Sequence, residues 1–292
     1  MPIPRRRSPP VTDLAPDRPA ENAAAAPGPG ARAAAQLRRS GLGRKLVVLL
    51  ALAAIWQVAA VLADKPILFP TFTATMGALW DALRNENILL AAWTSLAVLL
   101  KGYVFASLLA LVLVSLAIVN SLVREGLQML IAMFNPLPAI ALLPLAMLWF
   151  GLGERSLLVV LTHAVLWPFA LATLSGFDSV PETQRLVGRN YGLKGPAYVV
   201  RILIPAALPS ILYGLKIGWA FAWRTLIAAE LVFGVSSSSG GLGWFIFRNR
   251  NELYTDKVFA GLAMVIIIGL VIEGVVFRLL ETLTVRRWGM QR

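Results

Sequence analysis

Read from its N-terminus, the chain passes from some forty residues with almost no large apolar side chains into long apolar runs at 46–64, 97–120, 127–150, 156–177, 209–234 and 258–281. Each run has the length a helix needs to cross the hydrocarbon core of a bilayer, about 20 mostly apolar residues. The pattern therefore predicts an all-α membrane protein with six transmembrane helices. Between the first two runs, "FPTFTATMGALWDALRNENILLAAW" places Met76, Leu79, Trp80 and Leu83 at helical spacing beside Asp81 and Arg84. That spacing predicts an amphipathic helix lying at the membrane interface. Between the fifth and sixth runs, "SSSSGGLGWFIFRNRNELYTD" begins as a turn and continues as a short apolar patch.

The third run, "FNPLPAIALLPLAMLWFG", is interrupted by Pro136, Pro138 and Pro144. Proline removes a backbone donor and kinks a helix, and a membrane span tolerates this where other helices or a cavity satisfy the freed carbonyls. A purely structural kink and a hinge beside a substrate path both fit.

Composition agrees with the pattern. The 292 residues are 58% hydrophobic and 14% charged, against about a quarter charged in soluble domains. The net charge of +12 would suggest a nucleic-acid partner in a soluble chain, but its distribution follows the positive-inside bias of a membrane protein. Arg5, Arg6, Arg7, Arg38, Arg39, Arg44 and Lys45 precede the first run, and Arg286, Arg287 and Arg292 follow the last. Six crossings put both termini in the cytoplasm, together with the loop at 178–208 and its Arg185, Arg189, Lys194 and Arg201. The opposite side receives fewer cations: Lys65, Arg84, Arg155, Arg248, Arg250 and Lys257. The bilayer, not nucleic acid, is the implied surroundings.

Residues 1–40, rich in Pro, Ala and Arg, cannot bury enough surface to offset the entropy of ordering, so a disordered cytoplasmic tail is expected ahead of a membrane domain at 41–292. "VLAD" at 61–64 offers small residues suited to signal cleavage, but the charged stretch before the apolar run is far longer than a signal peptide carries.

Several chemistries are excluded. There is no cysteine, hence no disulfide or thiolate metal site, and no Gly-x-x-x-x-Gly-Lys-Ser/Thr run to cradle ATP. The single histidine, His163, falls mid-span in "LTHAVLWPF", where a neutral imidazole hydrogen-bonded to a neighbouring helix is the expectation and a proton relay or ligand contact the alternative. No hydrolytic set and no cofactor signature is present, so the chain reads as a non-enzyme. The fifth run carries Lys216, Arg224 and Glu230 within one third of the helix circumference. Two accounts stand: an anion pathway drawn by the two cations, or an interhelical network in which Glu230 pairs with a cation.

The cytoplasmic loop interrupts the apolar pattern with "NYGLKGPAYVVRILIPAALPS" at 190–210. Gly192, followed after a fixed spacing by Pro205-Ala206-Ala207-Leu208-Pro209, resembles the EAA loop of bacterial ABC importer permeases. The small residue of that motif falls on Gly188. Its acidic residue would fall on Leu186, so the namesake glutamate is missing, with Glu182 one turn earlier. "LFPTF", "ALLPLAMLWFGLGE", "AWRTLIAAEL" and "RRWGM" resemble the nitrate/sulfonate/taurine subgroup of these permeases.

On its own residues the loop predicts two short helices joined at Gly192. Gly195-Pro196 starts the second, Tyr198, Val199 and Ile202 give it an apolar side, and Pro205 closes it at the membrane surface. The resemblance implies the six-helix type I importer permease fold in a bacterial inner membrane. It implies that this elbow, through Gly188, Gly192, Gly195, Tyr198 and Pro205, docks on separate ATP-binding cassette ATPase subunits. It also implies a second copy of the permease and a periplasmic or surface-anchored substrate-binding protein as partners, with a small anion as substrate. The alternative is a secondary carrier or channel working without ATPase subunits. It has no use for a cytoplasmic elbow and calls for inverted repeats, which the sequence does not display.

Overall fold

The computed structural model describes residues 41–233 and 240–286. The tail expected over 1–40, the serine turn at 236–239, and Arg287 and Arg292 lie outside them. The chain divides into two compact units between Ala54 and Ile55. The described part of the first is the opening half of helix α1 (Gly41–Ala63), whose Leu46, Val47, Leu49, Leu50 and Leu52 are exposed. The second unit carries everything that follows.

Within the second unit the order is α2 (Phe72–Asn85), α3 (Ile88–Val119), α4 (Ser121–Phe134), α5 (Ala139–Phe150), α6 (Glu154–Asp178), α7 (Glu182–Asn190), α8 (Gly195–Ala206), α9 (Leu208–Phe233), α10 (Leu242–Asn251) and α11 (Thr255–Thr284). No strand occurs among the described residues. By length and composition, α1, α3, α6 and α11 are each able to cross a membrane; the total reaches six if the bent pairs α4/α5 and α8/α9 each count as one span.

Two expectations shift, and a third holds. The second span begins at Ile88 rather than 97, because "ILLAAWTS" continues the apolar helix back to a left-handed Asn87 (φ 54°). The third is not a continuous helix over 127–150: α4 and α5 meet at 90°. The turn falls on Pro136 and Pro138, whereas Pro144 sits harmlessly in the first turn of Leu143–Phe150, the α-helical part of α5 that follows a 3-10 turn. The amphipathic helix exists as α2, capped by Thr71, and buries Thr75, Leu79 and Ala82. Trp80 is turned outward beneath the guanidinium of Arg84, 4.3 Å from its ring centre.

The most enclosed helix is α6, with Leu157, Leu161, Val165, Phe169 and Phe177 buried against α3 on one side and α9 on the other. Helices already surrounded by lipid gain little from the hydrophobic effect, so close packing through small residues must hold them. Gly214 and Gly218 of α9 supply it. A side-chain carbon added at Gly214 would lie 2.7 Å from Ala172 Cβ and 2.9 Å from the Phe169 ring, and one at Gly218 would lie 3.1 Å from Val165. At Gly176 of α6 the same carbon would meet Ser210 Cβ at 2.5 Å, and at Gly102 of α3 it would meet Leu161 at 2.8 Å. By contrast α3 leaves Trp93, Val104, Phe105 and Leu108 exposed, as a lipid-facing side is.

Gly214→Leu is expected to destabilise the purified protein by about 1–3 kcal/mol or more through overpacking. Gly77→Ala, where an added carbon meets nothing, should be neutral or stabilising by up to about 1 kcal/mol. Thermal unfolding in detergent compares the two.

Candidate functional site

The break in the third span opens a cavity of about 400 Å³. Its floor is the turn between α4 and α5, from Phe134 to Ile140; its walls come from His163, Ala164, Trp167 and Pro168 of α6 and from Phe221, Arg224, Thr225 and Ala228 of α9. The local sequence accounts for both sides. Pro136 and Pro138 deny the helix its donors, and the chain turns through Leu137 N–H to Phe134 O (3.1 Å) and Ala141 N–H to Pro138 O (2.9 Å). Across the gap, Pro168 inside α6 leaves the Ala164 carbonyl without its helical donor. Irregular backbone of this kind is tolerated in a membrane where it lines a cavity.

Arg224 is the one charged side chain among the residues that line this cavity. Its Nε donates to Ala220 O at 3.0 Å and its guanidinium carbon lies 4.9 Å from the Phe221 ring centre, with no carboxylate on it among the described residues. His163 does not make the hydrogen bond expected of it. Both ring nitrogens are buried without a partner among the described residues, and the imidazole sits edge-on to Phe134 and Trp167, which stack on each other at 5.1 Å.

The three charges of the fifth span have separate surroundings. Lys216 forms a 2.8 Å ion pair with Glu273 of α11, and with Arg224 it lines a second cavity of about 370 Å³ between α9 and α11. Glu230, fully buried, pairs with no cation among the described residues. Ser95 Oγ of α3 donates to its carboxylate at 2.8 and 3.1 Å, and the Gly243 amide donates at 2.8 Å, while the Leu242 amide donates to Ser95 Oγ at 2.8 Å. The carboxylate thus seats on the N-terminus of α10, where exposed backbone amides favour negative charge. Gly241 and Gly243 make room for it: a side chain at Gly241 would collide with the carboxylate itself. The pairing expected of Glu230 with a cation is replaced by a clasp of hydroxyl and amides joining α3, α9 and α10.

The elbow has the predicted parts. Gly192, at φ +69°, ends α7 with a double turn in which Leu193 N–H reaches Gly188 O (3.0 Å) and Gly192 N–H reaches Arg189 O (2.9 Å). Gly195, also at positive φ, opens α8 with Pro196 in its first turn, and Pro205 lies just before the 79° bend into α9. Gly188 lets the two arms close, since an added carbon there would lie 2.8 Å from Ile202 and 2.9 Å from the Tyr198 ring. The apolar side of α8 is therefore not offered outward. Val199 and Leu203 are buried, Tyr198 and Ile202 press on Gly188, and the exposed apolar residues are Leu186, Val187, Tyr191 and Val200. Arg185 fastens the elbow to the end of α6, donating to Phe177 O (2.5 Å) and, just beyond the helix, to Val180 O (3.0 Å), while Arg124 of α4 grips Asp178 at the same end of α6 through two contacts of 2.7 and 2.8 Å.

The family described as binding-protein-dependent transport system inner membrane component matches residues 102–285, a stretch that includes the elbow, Arg224 and Glu230. The chain belongs to this family. It is the multi-pass membrane permease subunit of an ABC importer, not an enzyme, and ATP hydrolysis resides on a separate subunit. The secondary-carrier alternative falls with that assignment. The taurine transport system permease protein of Escherichia coli K12 is 32% identical over 75% of this chain and 80% of its own length. A nitrate import permease protein of Synechocystis is 28% identical over 65% of this chain and 67% of its own length.

Some residues that build the permease went unread in the sequence. Gly214 and Gly218 form a Gly-x-x-x-Gly pair, a legible signal for close helix contact. Arg185 follows the end of α6, where a basic side chain suits the free carbonyls. Ser95 and Trp167 carry no local signal, because their roles depend on partners more than a hundred residues away or across the cavity.

Removing the Glu230 carboxylate leaves the Ser95 hydroxyl and the Gly243 amide unsatisfied, at about 1–3 kcal/mol each. Glu230→Ala is expected to lower the melting temperature of the purified permease markedly. Glu230→Gln, which keeps an acceptor, should retain most of the stability. A glutamine variant as unstable as the alanine variant would contradict the hydrogen-bonded clasp.

Proposed function

We propose that this permease moves a small oxyanion inward past Arg224. Two copies would enclose the pathway, a binding protein would deliver substrate to the outer face, and the 178–208 elbow would dock on the ATPase subunits, with both termini in the cytoplasm. The observation that carries the substrate charge is Arg224: the only charged group lining the cavity of the broken span, and without a carboxylate among the described residues. Similarity to permeases named for taurine and nitrate supports it, since sulfonate and nitrate groups are both oxyanions.

Support for the docking role comes from the elbow's build. The turn at Gly192 leaves Tyr191, Leu186 and Val187 exposed, and Arg185 ties the base of the elbow to the end of α6. A push on the exposed arm thus reaches the helix that carries His163 and Trp167. Leu186 stands exposed where this family's motif carries its acidic residue, so docking here leans on apolar contact.

Nothing fills the space around Gly192, so a β-branched residue there is resisted by backbone strain alone. That strain is about 1–2 kcal/mol, a factor of roughly ten against the formed turn. Gly192→Val is expected to lower ATP-driven, binding-protein-dependent uptake into proteoliposomes by up to about tenfold, with the permease still folded. Gly192→Asn, which tolerates positive φ, should keep most uptake. Full uptake by a well-assembled valine variant would count against a docking elbow at this position.

A further inference from the structure

We propose that the cleft between the end of α3 and the elbow is a binding site for an anionic phospholipid, with its phosphate among Arg189, Lys194 and Tyr198 and an acyl chain laid along α3. The proposal needs only that the chain sits in a bilayer. It stands or falls apart from the substrate and from what docks on the elbow.

Two adjoining cavities, each of about 280 Å³, make the cleft. The first is apolar, with Leu108, Val112, Ser115 and Leu116 of α3 on one side and Pro196 and Val200 of α8 on the other. Ser115 adds little polarity, because its hydroxyl donates back to Leu111 O at 2.6 Å. The second is basic and lies where α3 ends: Ile118 and Val119 share it with Arg189, Lys194 and Tyr198. Val119 lines both, so the groove runs into the basic end.

The length suits a lipid. Leu108, Val112, Leu116 and Val119 follow one another at helical spacing, and all four are exposed. From the first to the last the helix rises about 16 Å, against about 15 Å for the hydrocarbon of one leaflet. An acyl chain on this stripe therefore brings its headgroup to the basic end. A free phosphate would use that end alone and leave the groove unfilled.

The charge selects among lipids. Among the described residues, the lining of the basic end has two cations and no carboxylate. Lys194 makes no ion pair among the described residues, and Arg189 has only an exposed contact of 3.5 Å with Glu182, of a kind worth little. Glu182 lies outside the lining and is shared with Arg185 at 4.0 Å. The ammonium of a zwitterionic headgroup would enter a basic cleft and find no anion there, whereas a net negative headgroup neutralises it.

A separate observation points to a ligand. The Tyr198 hydroxyl, at the basic end, is buried with no hydrogen-bond partner among the described residues, and a buried tyrosine hydroxyl ordinarily has one. A phosphate oxygen in the cleft supplies the missing acceptor. Arg189 and Lys194 stand before and after the Gly192 turn, so a phosphate between them would also brace the elbow against α3.

The test is native mass spectrometry of the permease purified with its ATPase subunits and loaded with equal amounts of phosphatidylglycerol and phosphatidylethanolamine of identical acyl chains. Phosphatidylglycerol is expected to be retained at least about fivefold over phosphatidylethanolamine, and Arg189→Gln with Lys194→Gln to lower its retention by about tenfold or more, since each cation near an anionic headgroup contributes about fivefold. Tyr198→Phe should lower it severalfold. Arg201→Gln removes a cation of the same loop that does not line the cleft, and should change nothing. From the membrane side, Ser115→Trp fills the groove and should lower retention severalfold, while Ser115→Ala should not.

Equal retention of the two lipids would overturn the proposal, as would an Arg201→Gln effect as large as that of the double variant. Undiminished retention by Ser115→Trp would overturn the acyl groove. Displacement of the lipid by millimolar inorganic phosphate would overturn the site as one for lipid and leave a free-anion site in its place.

Discussion

The close contact of α6 with α9 is the constraint on which the other features hang. Gly176, Gly214 and Gly218 bring the two helices to a separation at which a single added carbon would clash. In lipid, that proximity is held by packing rather than by exclusion of water. It brings His163 and Trp167 of α6 and Arg224 of α9 to the one cavity that the broken third span opens. It also fixes the two ends of the machine. At one end Arg185 joins α6 to the elbow, and at the other Glu230 of α9 holds α10 through the Gly243 amide.

A second constraint follows from the bilayer. Backbone and side-chain polar groups inside it must find partners in the protein. Glu230 answers with a full set, and is accordingly part of the frame. The turn at Pro136 and Pro138, the carbonyl freed by Pro168 and the nitrogens of His163 answer incompletely, and all of these gather at one cavity. Other buried groups, among them Thr75, Ser107, Thr173 and Trp223, also lack partners among the described residues; what sets this cavity apart is that His163 and Trp167 share it with the charge of Arg224.

Much of this was legible in the sequence. Apolar runs located the helices, because the bilayer imposes a length that local composition reveals. Gly192 and Gly195-Pro196 announced the elbow, since turn chemistry is local. The third span read as broken, but its 90° bend did not, because proline removes a donor without dictating where the chain goes next. Helical spacing put Lys216, Arg224 and Glu230 on one face, yet the protein gives them three different partners. A helix face is a single-element property, whereas Ser95, Gly243 and Glu273 come from elsewhere in the chain. The apolar side of α8 was seen correctly as apolar and assigned outward; Gly188, a missing side chain on the facing arm, is what lets Tyr198 and Ile202 turn in.

The central claim is that the cavity beside Arg224 admits anions during transport. The protein has no cysteine, so a single thiol placed at Thr225, in the cavity wall, reports its surroundings without background. The direct measurement is the rate at which Thr225→Cys reacts, in the complete transporter turning over ATP, with two methanethiosulfonate reagents of similar size, one bearing a sulfonate and one a quaternary ammonium. The account predicts that the sulfonate reagent reacts faster and that Arg224→Gln erases the difference. Equal rates for the two reagents with Arg224 in place, or a faster reaction with the cationic one, would contradict it.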